Sequence, residues 1–425
     1  MSGPRTLGLD FGTTNSVAAL AEDGVSNLVM LHGASAAFRS ALCFWEDEAV
    51  RGGIASEAGP WAIAEYLECP EGSRFLQSFK SVAASASFEH AMIFEKRYKF
   101  EDLGRIFLSK LAARSGGMIG GGARVIIGRP VVYAGHAPDE TLARQRYDAM
   151  FADLGIDRHY VYEPLGAAFS YASRITEPAT ILVADFGGGT SDFSVVRIEA
   201  PGAPRRCIPL GHSGVGIAGD RFDARITEEL VMPLLGRGGT YRSFDKLLEI
   251  PRGYFADFAD WSRLALMRNR RTLADLEKLR RTASDPAAIA RMIAIIEQEL
   301  GFRFHEAVWQ VKRALSAAET ATFRFSGAGL SIEAAVSRAD FEGWIAPEIA
   351  AIEAAIDRAL AMAGTDAGSI DRVFLTGGSS LIPRIHRIFT DRFGTGRIAT
   401  GGELTSIAHG LALFGAQDDV STWAA

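Results

Sequence analysis

Cysteine is scarce in this chain, cationic charge has no surplus, and no apolar run is long; each absence excludes something. The three cysteines, Cys43, Cys69 and Cys207, lie far apart. They form neither a disulfide framework nor a CxxC metal pair, which fits a reducing compartment and leaves them as inert packing residues. With 45 Lys and Arg against 51 Asp and Glu, the net charge is -6. There is no excess of cations to neutralise a polyphosphate backbone, so nucleic acid is not an expected partner. No stretch approaches the roughly 18 unbroken apolar residues of a spanning helix, and Met1 to Arg5 run straight into a strand without signal-peptide architecture. A soluble, cytoplasmic protein with no membrane partner is expected. The eight histidines are scattered, none at metal-ligand spacing.

What is present is a well-stocked globular chain. At 425 residues it is long enough for two or more domains, and 48% hydrophobic with 23% charged residues excludes disordered, collagen-like and coiled-coil classes. The first clear element is the extended run Thr6-Leu7-Gly8-Leu9-Asp10, followed by the small turn Phe11-Gly12-Thr13-Thr14-Asn15 and a second run, Ser16 to Leu20. This reads as a β-hairpin. After Glu22-Asp23-Gly24 a third strand is expected over Val25 to Leu31, so the chain opens with a meander. Far downstream the arrangement returns: Ile181 to Asp185, then Phe186-Gly187-Gly188-Gly189-Thr190-Ser191, then Asp192 to Ile198. Asp10-Phe11-Gly12 matches Asp185-Phe186-Gly187, and Ser16 matches Ser191. Such an echo predicts a duplicated domain whose two halves face one ligand.

Between and beyond the hairpins the pattern is mixed. The segment from about 38 to 114 has no single period; a strand is expected at Arg124 to Gly128 and a helix over Glu140 to Leu154. Tyr162-Glu163-Pro164-Leu165-Gly166-Ala167-Ala168 opens a small-residue helix to about Ser173, whose face permits close helix packing. Helix is expected over Phe222 to Leu235 and over Phe255 to Ser316 with a break at Asp285-Pro286. A hairpin turns at Gly327-Ala328-Gly329, an alanine-rich helix covers Pro347 to Met362, and a strand, Val373 to Thr376, precedes Gly377-Gly378-Ser379-Ser380. Helices Pro383 to Phe393 and Ser406 to Gly415 close the pattern.

The chemistry follows from the turns. Asp10 and Asp185 each end a strand beside residues with little or no side chain. Successive backbone N–H groups in such turns make an anion-binding concavity, to which Thr13, Thr14 and Thr190 add hydroxyls. That suits the β- and γ-phosphates of a nucleotide. Two carboxylates beside a triphosphate call for a cation, and Mg²⁺ takes one or two carboxylates plus water and phosphate oxygens. The peptide Gly377-Gly378 permits the flat approach of a nucleoside, while Arg313 and Ser316 share a helix face with Lys312 beside them, a set able to stack on a base and hydrogen-bond its edge. Each piece has an ordinary reading as well: a plain hairpin, a turn before a helix, a solvated charged face, an acid favoured at a helix start in Glu163. Their conjunction in this order carries the argument.

With these residues in place the chain resembles the nucleotide-binding half of DnaK-type 70-kDa heat-shock proteins, members of the actin and sugar-kinase ATPase superfamily. Leu7 to Ser16 looks like the first phosphate motif, Tyr162 to Ala168 the first connection, Leu182 to Val195 the second phosphate motif, Val373 to Pro383 the adenosine motif and Gly401 to Gly410 the second connection. Ala64-Glu65-Tyr66-Leu67 and Ser78-Phe79-Lys80-Ser81 are most similar to the bacterial YegD-type chaperone-like proteins. The resemblance implies an α/β, bilobed actin-like ATPase fold (ribonuclease H-like, duplicated) around a central nucleotide cleft. Its first lobe would span 1–175 with an insertion at about 38–114 and be completed by about 398–425; the second would span 176–397 with an insertion at about 221–340. It implies that ATP or ADP binds with Mg²⁺, that Asp10 and Asp185 hold the metal through water, and that Gly12, Thr13, Thr14, Asn15, Gly187, Gly188, Gly189 and Thr190 hold phosphate. Glu163 and Asp192 would position or activate the attacking water. Lys312, Arg313, Ser316, Gly377, Gly378 and Ser379 would surround the adenosine, with Gly219 and Asp220 near the ribose.

Departures from the pattern bear on function. The family carries a first-lobe lysine that reaches the γ-phosphate; that position falls here on Ser56 or Ile63, with Lys80 the nearest lysine, expected to approach from another strand. Leu381 stands where a basic residue is usual in the adenosine motif, and Trp309 where an acid meets the ribose. ATP binding is therefore the firmer expectation, with slow hydrolysis next, and Lys80 is included among the catalytic residues. Two alternatives stand beside this chaperone-like reading: a nucleotide-binding pseudo-ATPase or scaffold without turnover, and a small-molecule kinase of the sugar-kinase branch. Gln417-Asp418-Asp419-Val420 offer no apolar linker toward a peptide-binding domain, so a chaperone-like ATPase lacking one is expected, acting on an unidentified protein partner or client. The 255–316 region is least like the family and is where a partner surface would be sought.

Overall fold

Packing divides the protein into two units, one formed by the residues through Gly219 together with those from Ala350 onward, the other by Asp220–Ile349. The computed structural model describes residues 5–415 except 71, 120–123, 136, 155–156, 202–206, 260–263, 265–266, 328, 400 and 402–403.

The first unit is organised by two sheets built to one plan. Thr6–Phe11 pairs antiparallel with Asn15–Glu22, which pairs antiparallel with Val25–Leu28; Arg124–Arg129 joins parallel to Thr6–Phe11, and Arg158–Tyr162 joins parallel to it in turn. In the second sheet Ala179–Phe186 pairs antiparallel with Ser191–Ile198, and that strand with Cys207–Val215; Arg372–Thr376 lies parallel to Ala179–Phe186, and Ile398–Ala399 parallel to Arg372–Thr376. The strand order is the same in both, a meander extended by two parallel strands beside its first strand. Parallel neighbours need a crossover helix, supplied by Glu140–Met150 in one half and Pro383–Phe393 in the other. The register repeats too: Phe11 faces Ser16 across the first hairpin as Phe186 faces Ser191 across the second. The echo in the sequence is thus a duplication of a whole sheet-and-helix half. The expected third strand is shorter than Val25 to Leu31 and ends at Leu28, and the helix expected to Leu154 ends at Met150 and continues as a 3₁₀ turn, Ala152–Leu154.

Each half ends in a helix, and these helices pack on each other. Glu163–Ala172 is buried along its whole length, and Ser406–Phe414 crosses it where Gly410 meets Gly166. A Cβ on Gly410 would lie 1.6 Å from the Gly166 carbonyl oxygen, so only glycine permits this approach. The same helix lies on the first hairpin, Ala408 and Ala412 packing with Val17, Ala19 and Ala21. The segment of mixed character holds the three-stranded sheet Ile54–Ala58, Ala41–Glu46 and Ser73–Gln77, the helices Gly59–Glu68 and Phe100–Arg114, and a core of Phe11, Phe38, Phe44, Phe79, Phe100 and Phe107.

In the second unit the break expected at Asp285-Pro286 is a helix start: the Asp285 carboxylate accepts the Ala288 N–H at 3.1 Å, ahead of Pro286–Glu297. Neighbouring helices cover Arg270–Thr282 and Gly301–Ala317, and the hairpin Thr320–Gly327 with Leu330–Ser337 follows. The single helix expected over Phe222 to Leu235 is three pieces: α over Gly219–Ile226, a π turn over Thr227–Val231 and 3₁₀ over Met232–Leu235. Pro233 accounts for the change, since it has no N–H for the carbonyl four residues before and its ring crowds that carbonyl.

Candidate functional site

The hairpin turns are tight because glycine stands where a side chain has no room. A Cβ on Gly12 would lie 2.2 Å from the Asn15 carbonyl oxygen. The turn is also braced from outside: Ser40 Oγ donates to the Gly12 carbonyl at 2.6 Å, and Ser40 N–H to the Thr14 carbonyl at 2.9 Å. In the second turn the Gly187 N–H donates to the Thr190 carbonyl at 3.0 Å. The two turns face one another, since a side chain on Gly189 would begin 3.4 Å from Thr13 Oγ1. Thr13 of the first turn thus lies beside Gly189 of the second, within the first unit.

Five ionisable side chains converge there. Lys80 Nζ donates to Glu163 Oε1 at 2.7 Å, both side chains almost wholly buried. Asp185 and Asp192 are buried as well, while Asp10 keeps part of its surface open. Asp192 is held firmly: its Oδ1 accepts the Val131 and Val132 N–H groups at 2.9 and 3.2 Å, and its Oδ2 accepts Thr190 Oγ1–H at 2.7 Å. Burial, then the Glu163 charge, pushes Asp10 up to about 8 against the pull of Lys80. The same two causes push Asp192 up to about 7, and Asp185 is raised well above the usual carboxylate range by burial and by Glu163, Asp10 and Asp192. Burial alone would lower the Lys80 ammonium, but Glu163 and Asp10 outweigh it and hold it above its ordinary value.

Lys80 reaches the cluster by a local device. Ser78 takes a left-handed φ of 54°, which turns the chain out of the strand Ser73–Gln77 into the 3₁₀ turn Phe79–Val82. The Phe79 ring then packs on Phe11 at 5.7 Å, and Lys80 Nζ lies 5.9 Å from the centre of the Phe11 ring, beside Asp10 in sequence. The cation of the site therefore does not come from Ser56, which sits in the strand Ile54–Ala58, or from Ile63 on the helix Gly59–Glu68, and it arrives on a helical turn rather than a strand. Tyr133 was not marked in the sequence. It is buried, hydrogen-bonded to Arg129, and close enough to Lys80 and Glu163 to feel both charges. The signal for this neighbourhood was Pro130 directly after the apolar strand Arg124–Arg129, ahead of the bend that delivers the Val131 and Val132 N–H groups.

The remaining expected residues divide between the units. Gly377 has a φ of 81° and packs on the second hairpin, where a Cβ would lie 2.1 Å from the Phe186 carbonyl oxygen; at Gly378 a Cβ would meet nothing within 4 Å. Ser379 is buried. The Gly219 N–H donates to the Gly187 carbonyl at 3.3 Å, tying it to the second turn. Asp220, Lys312, Arg313 and Ser316 belong to the second unit. There Lys312 Nζ pairs with Asp223 Oδ2 at 2.7 Å, Ser316 Oγ donates to the Lys312 carbonyl at 3.1 Å, and the Arg313 guanidinium lies over the Trp309 ring.

Asp10 and Asp185 are both held above the usual carboxylate range by burial and then by neighbouring carboxylates, a charge balance that a divalent cation would offset. Among the described residues no three His, Cys, Asp or Glu side chains stand close enough to hold a metal directly. The donor set of Asp10 and Asp185 therefore fits Mg²⁺ only as a hydrated ion sharing its shell with other oxygens. Cys43 is buried, its thiol pushed up to about 11, chiefly by burial, which makes it unreactive.

The metal-free cluster has a pH signature. An unfolded chain releases carboxyl protons near about 4, whereas the folded site keeps them to about 7 at Asp192 and about 8 at Asp10. The native state binds more protons across that window, so this contribution is full below the unfolded value and is lost as pH rises through the folded values. Melting temperature in EDTA is expected to fall between about pH 5 and about pH 8 and the fall to flatten on adding Mg²⁺ with nucleotide. A melting temperature that rises over this range in EDTA would contradict the assignment.

Comparison with known proteins agrees with this geometry. A family model described as Hsp70 protein matches residues 294–416. Chaperone protein DnaK of Deinococcus proteolyticus is 24% identical, with 92% of this chain and 56% of that protein covered. Chaperone protein DnaK of Trichormus variabilis and Chaperone protein dnaK1 of a Nostoc species are each 23% identical, with 92% of this chain and 51% of the relative covered. The chain spans about half the length of the curated relatives it matches. The duplicated sheets, the facing glycine turns and these matches lead to one conclusion: the chain has an actin-like ATPase fold and is similar to Hsp70 proteins over most of its length.

Proposed function

We propose that the protein binds ATP with hydrated Mg²⁺ between the two glycine turns, hydrolyses it slowly, and uses the resulting change of shape on a protein partner in the manner of a chaperone. The observation that carries this reading is the buried Lys80 ammonium, 2.7 Å from Glu163 and among Asp10, Asp185 and Asp192. Bound Mg²⁺ would offset negative charge on the phosphates and on Asp10 and Asp185. Lys80 offers the fixed positive charge that phosphoryl transfer requires where charge develops. Glu163, oriented by Lys80, and Asp192, oriented by two backbone N–H groups and Thr190, hold the attacking water and take its proton. An acid shifted to about 7, as Asp192 is, is matched to accepting a proton near neutral pH. Thr13, Thr14 and the Gly187 to Thr190 turn orient the phosphates, and Gly377 and Gly378 give the nucleoside a flat approach.

A non-hydrolysing scaffold draws its support from the missing lysine at Ser56 or Ile63, and the pairing of Lys80 with Glu163 favours the hydrolytic reading over it. The test is phosphate release by the purified protein, with Asp10→Ala as the control. Release above that control, independent of added sugar, is the expected result. Release only with a sugar present would favour the kinase reading, and none above the control would end the enzymatic one.

A further inference from the structure

The turn that presents Lys80 is held in place from outside the site. Ser78, at a left-handed φ of 54°, adopts a backbone that a non-glycine residue keeps only where its surroundings over-determine it. After the 3₁₀ turn Phe79–Val82 the chain runs from Ala83 to His90 without helix or strand. Local bonds close this stretch on itself, Ala83 N–H to the Lys80 carbonyl at 3.0 Å and Ser85 N–H to the Val82 carbonyl at 3.1 Å, but they do not tie it to anything else. Arg146, on the helix Glu140–Met150, does: Nη1 donates to the Val82, Ala83 and Ser85 carbonyls at 2.9, 3.0 and 3.1 Å, and Nη2 to the Phe88 carbonyl. Four carbonyls of one loop thus converge on one guanidinium. At the start of the same helix the Asp139 N–H donates to the Ala84 carbonyl at 2.9 Å. The helix is in turn fixed to the site, because Tyr147, the next residue, is wholly buried against Phe11, the neighbour of Asp10.

A charge contributes to transfer only when it already stands where charge will develop, and a shift of about 1 Å can cost about 10²-fold in rate. An ammonium carried on a loop without helix or strand needs such a fixture. The planar guanidinium, with five donors in a rigid fork and a full charge, can hold several carbonyls at once, which a lysine in its place would do less completely. We propose that Arg146 is a positioning residue that acts through Lys80, locking the loop after Phe79 so that the ammonium stands in the site before nucleotide arrives. Its four hydrogen bonds all go to backbone, so it sets the rate without touching substrate. The proposal rests on the hydrolytic reading above.

The test follows single-turnover phosphate release, Mg·ATP affinity and thermal melting of the full chain. Arg146→Gln is expected to slow release about 10-fold with ATP affinity within about twofold of the parent, and Arg146→Lys to recover part of the rate. In a Lys80→Met background the same Arg146→Gln change should slow release less than about twofold, because the group it positions is gone, while its effect on melting persists. Equal slowing with and without Lys80, or a lower melting temperature with an unchanged rate, overturns the proposal and leaves Arg146 a structural clamp. Should Arg146→Gln fail to fold, Arg146→Lys carries the same comparison. If Lys80→Met is slow and the Arg146 variants match the parent, the hydrolytic reading stands and the positioning role alone falls. If the unsubstituted chain releases no phosphate above the Asp10→Ala control, both fall.

Discussion

Replacing Lys80 by alanine is expected to slow phosphate release by about 10²–10³-fold, the usual loss when one preorganised charge or donor to a transition state is removed. Nucleotide affinity should change far less, because the hydroxyls and backbone groups of both turns remain. The substitution also leaves Glu163 buried without its partner, which costs roughly 3–5 kcal/mol of stability in comparable pairs. These effects separate in the double variant Lys80→Met with Glu163→Gln, which removes both charges: stability should recover and the rate should not. Single-turnover release alongside thermal melting reads both. A Lys80→Ala protein that melts lower but releases phosphate within about twofold of the parent would make the lysine a structural counter-ion only.

Gly410→Ala is the most damaging small substitution expected outside the charged cluster. The added methyl would start 1.6 Å from the Gly166 carbonyl oxygen, and Ser170 N is also within 2.8 Å. Both obstacles are backbone of a fully buried helix, so no side chain can swing away and the helices must separate. Overpacking costs typically about 1–3 kcal/mol where side chains can yield, and here the upper end or more is expected. That corresponds to a drop of about 6 °C or more in melting temperature for a domain of this size. Gly396→Ala is the matched control, since a Cβ there meets nothing within 4 Å. Equal melting temperatures for the two variants would show that the helix crossing tolerates a wider spacing.

What could be read in the sequence was chemistry that a short segment must carry by itself. The two hairpin turns announce themselves because the chain cannot fold back that sharply without small residues, and Asp10 and Asp185 sit at fixed offsets from them. The glycine and alanine faces of the closing helices were legible for the same reason. Lys80 was not, because its place in the site is decided elsewhere: 83 positions separate it from Glu163, and it arrives only through a left-handed Ser78 and the Phe79 contact with Phe11. A gap placed a few residues differently moves the expected lysine to Ser56 or Ile63, and no local pattern corrects it. Likewise the π turn at Thr227–Val231 is invisible to a helical period that continues through it, and the pairing of Lys312 with Asp223 spans 89 positions.

The helix Ser406–Phe414 seals a strand that begins at Thr6. On a ribosome adding roughly 5–20 residues each second, the hairpin would leave the tunnel about 20–80 s before the helix that covers it. Throughout that interval Val17, Ala19 and Ala21 have no partner for the face that Ala408 and Ala412 later occupy. The first half of the duplication therefore cannot mature on its own as it is made. It waits for the second, and nascent chains stalled before residue 406 should be open to protease and to chaperone capture in a way the finished chain is not.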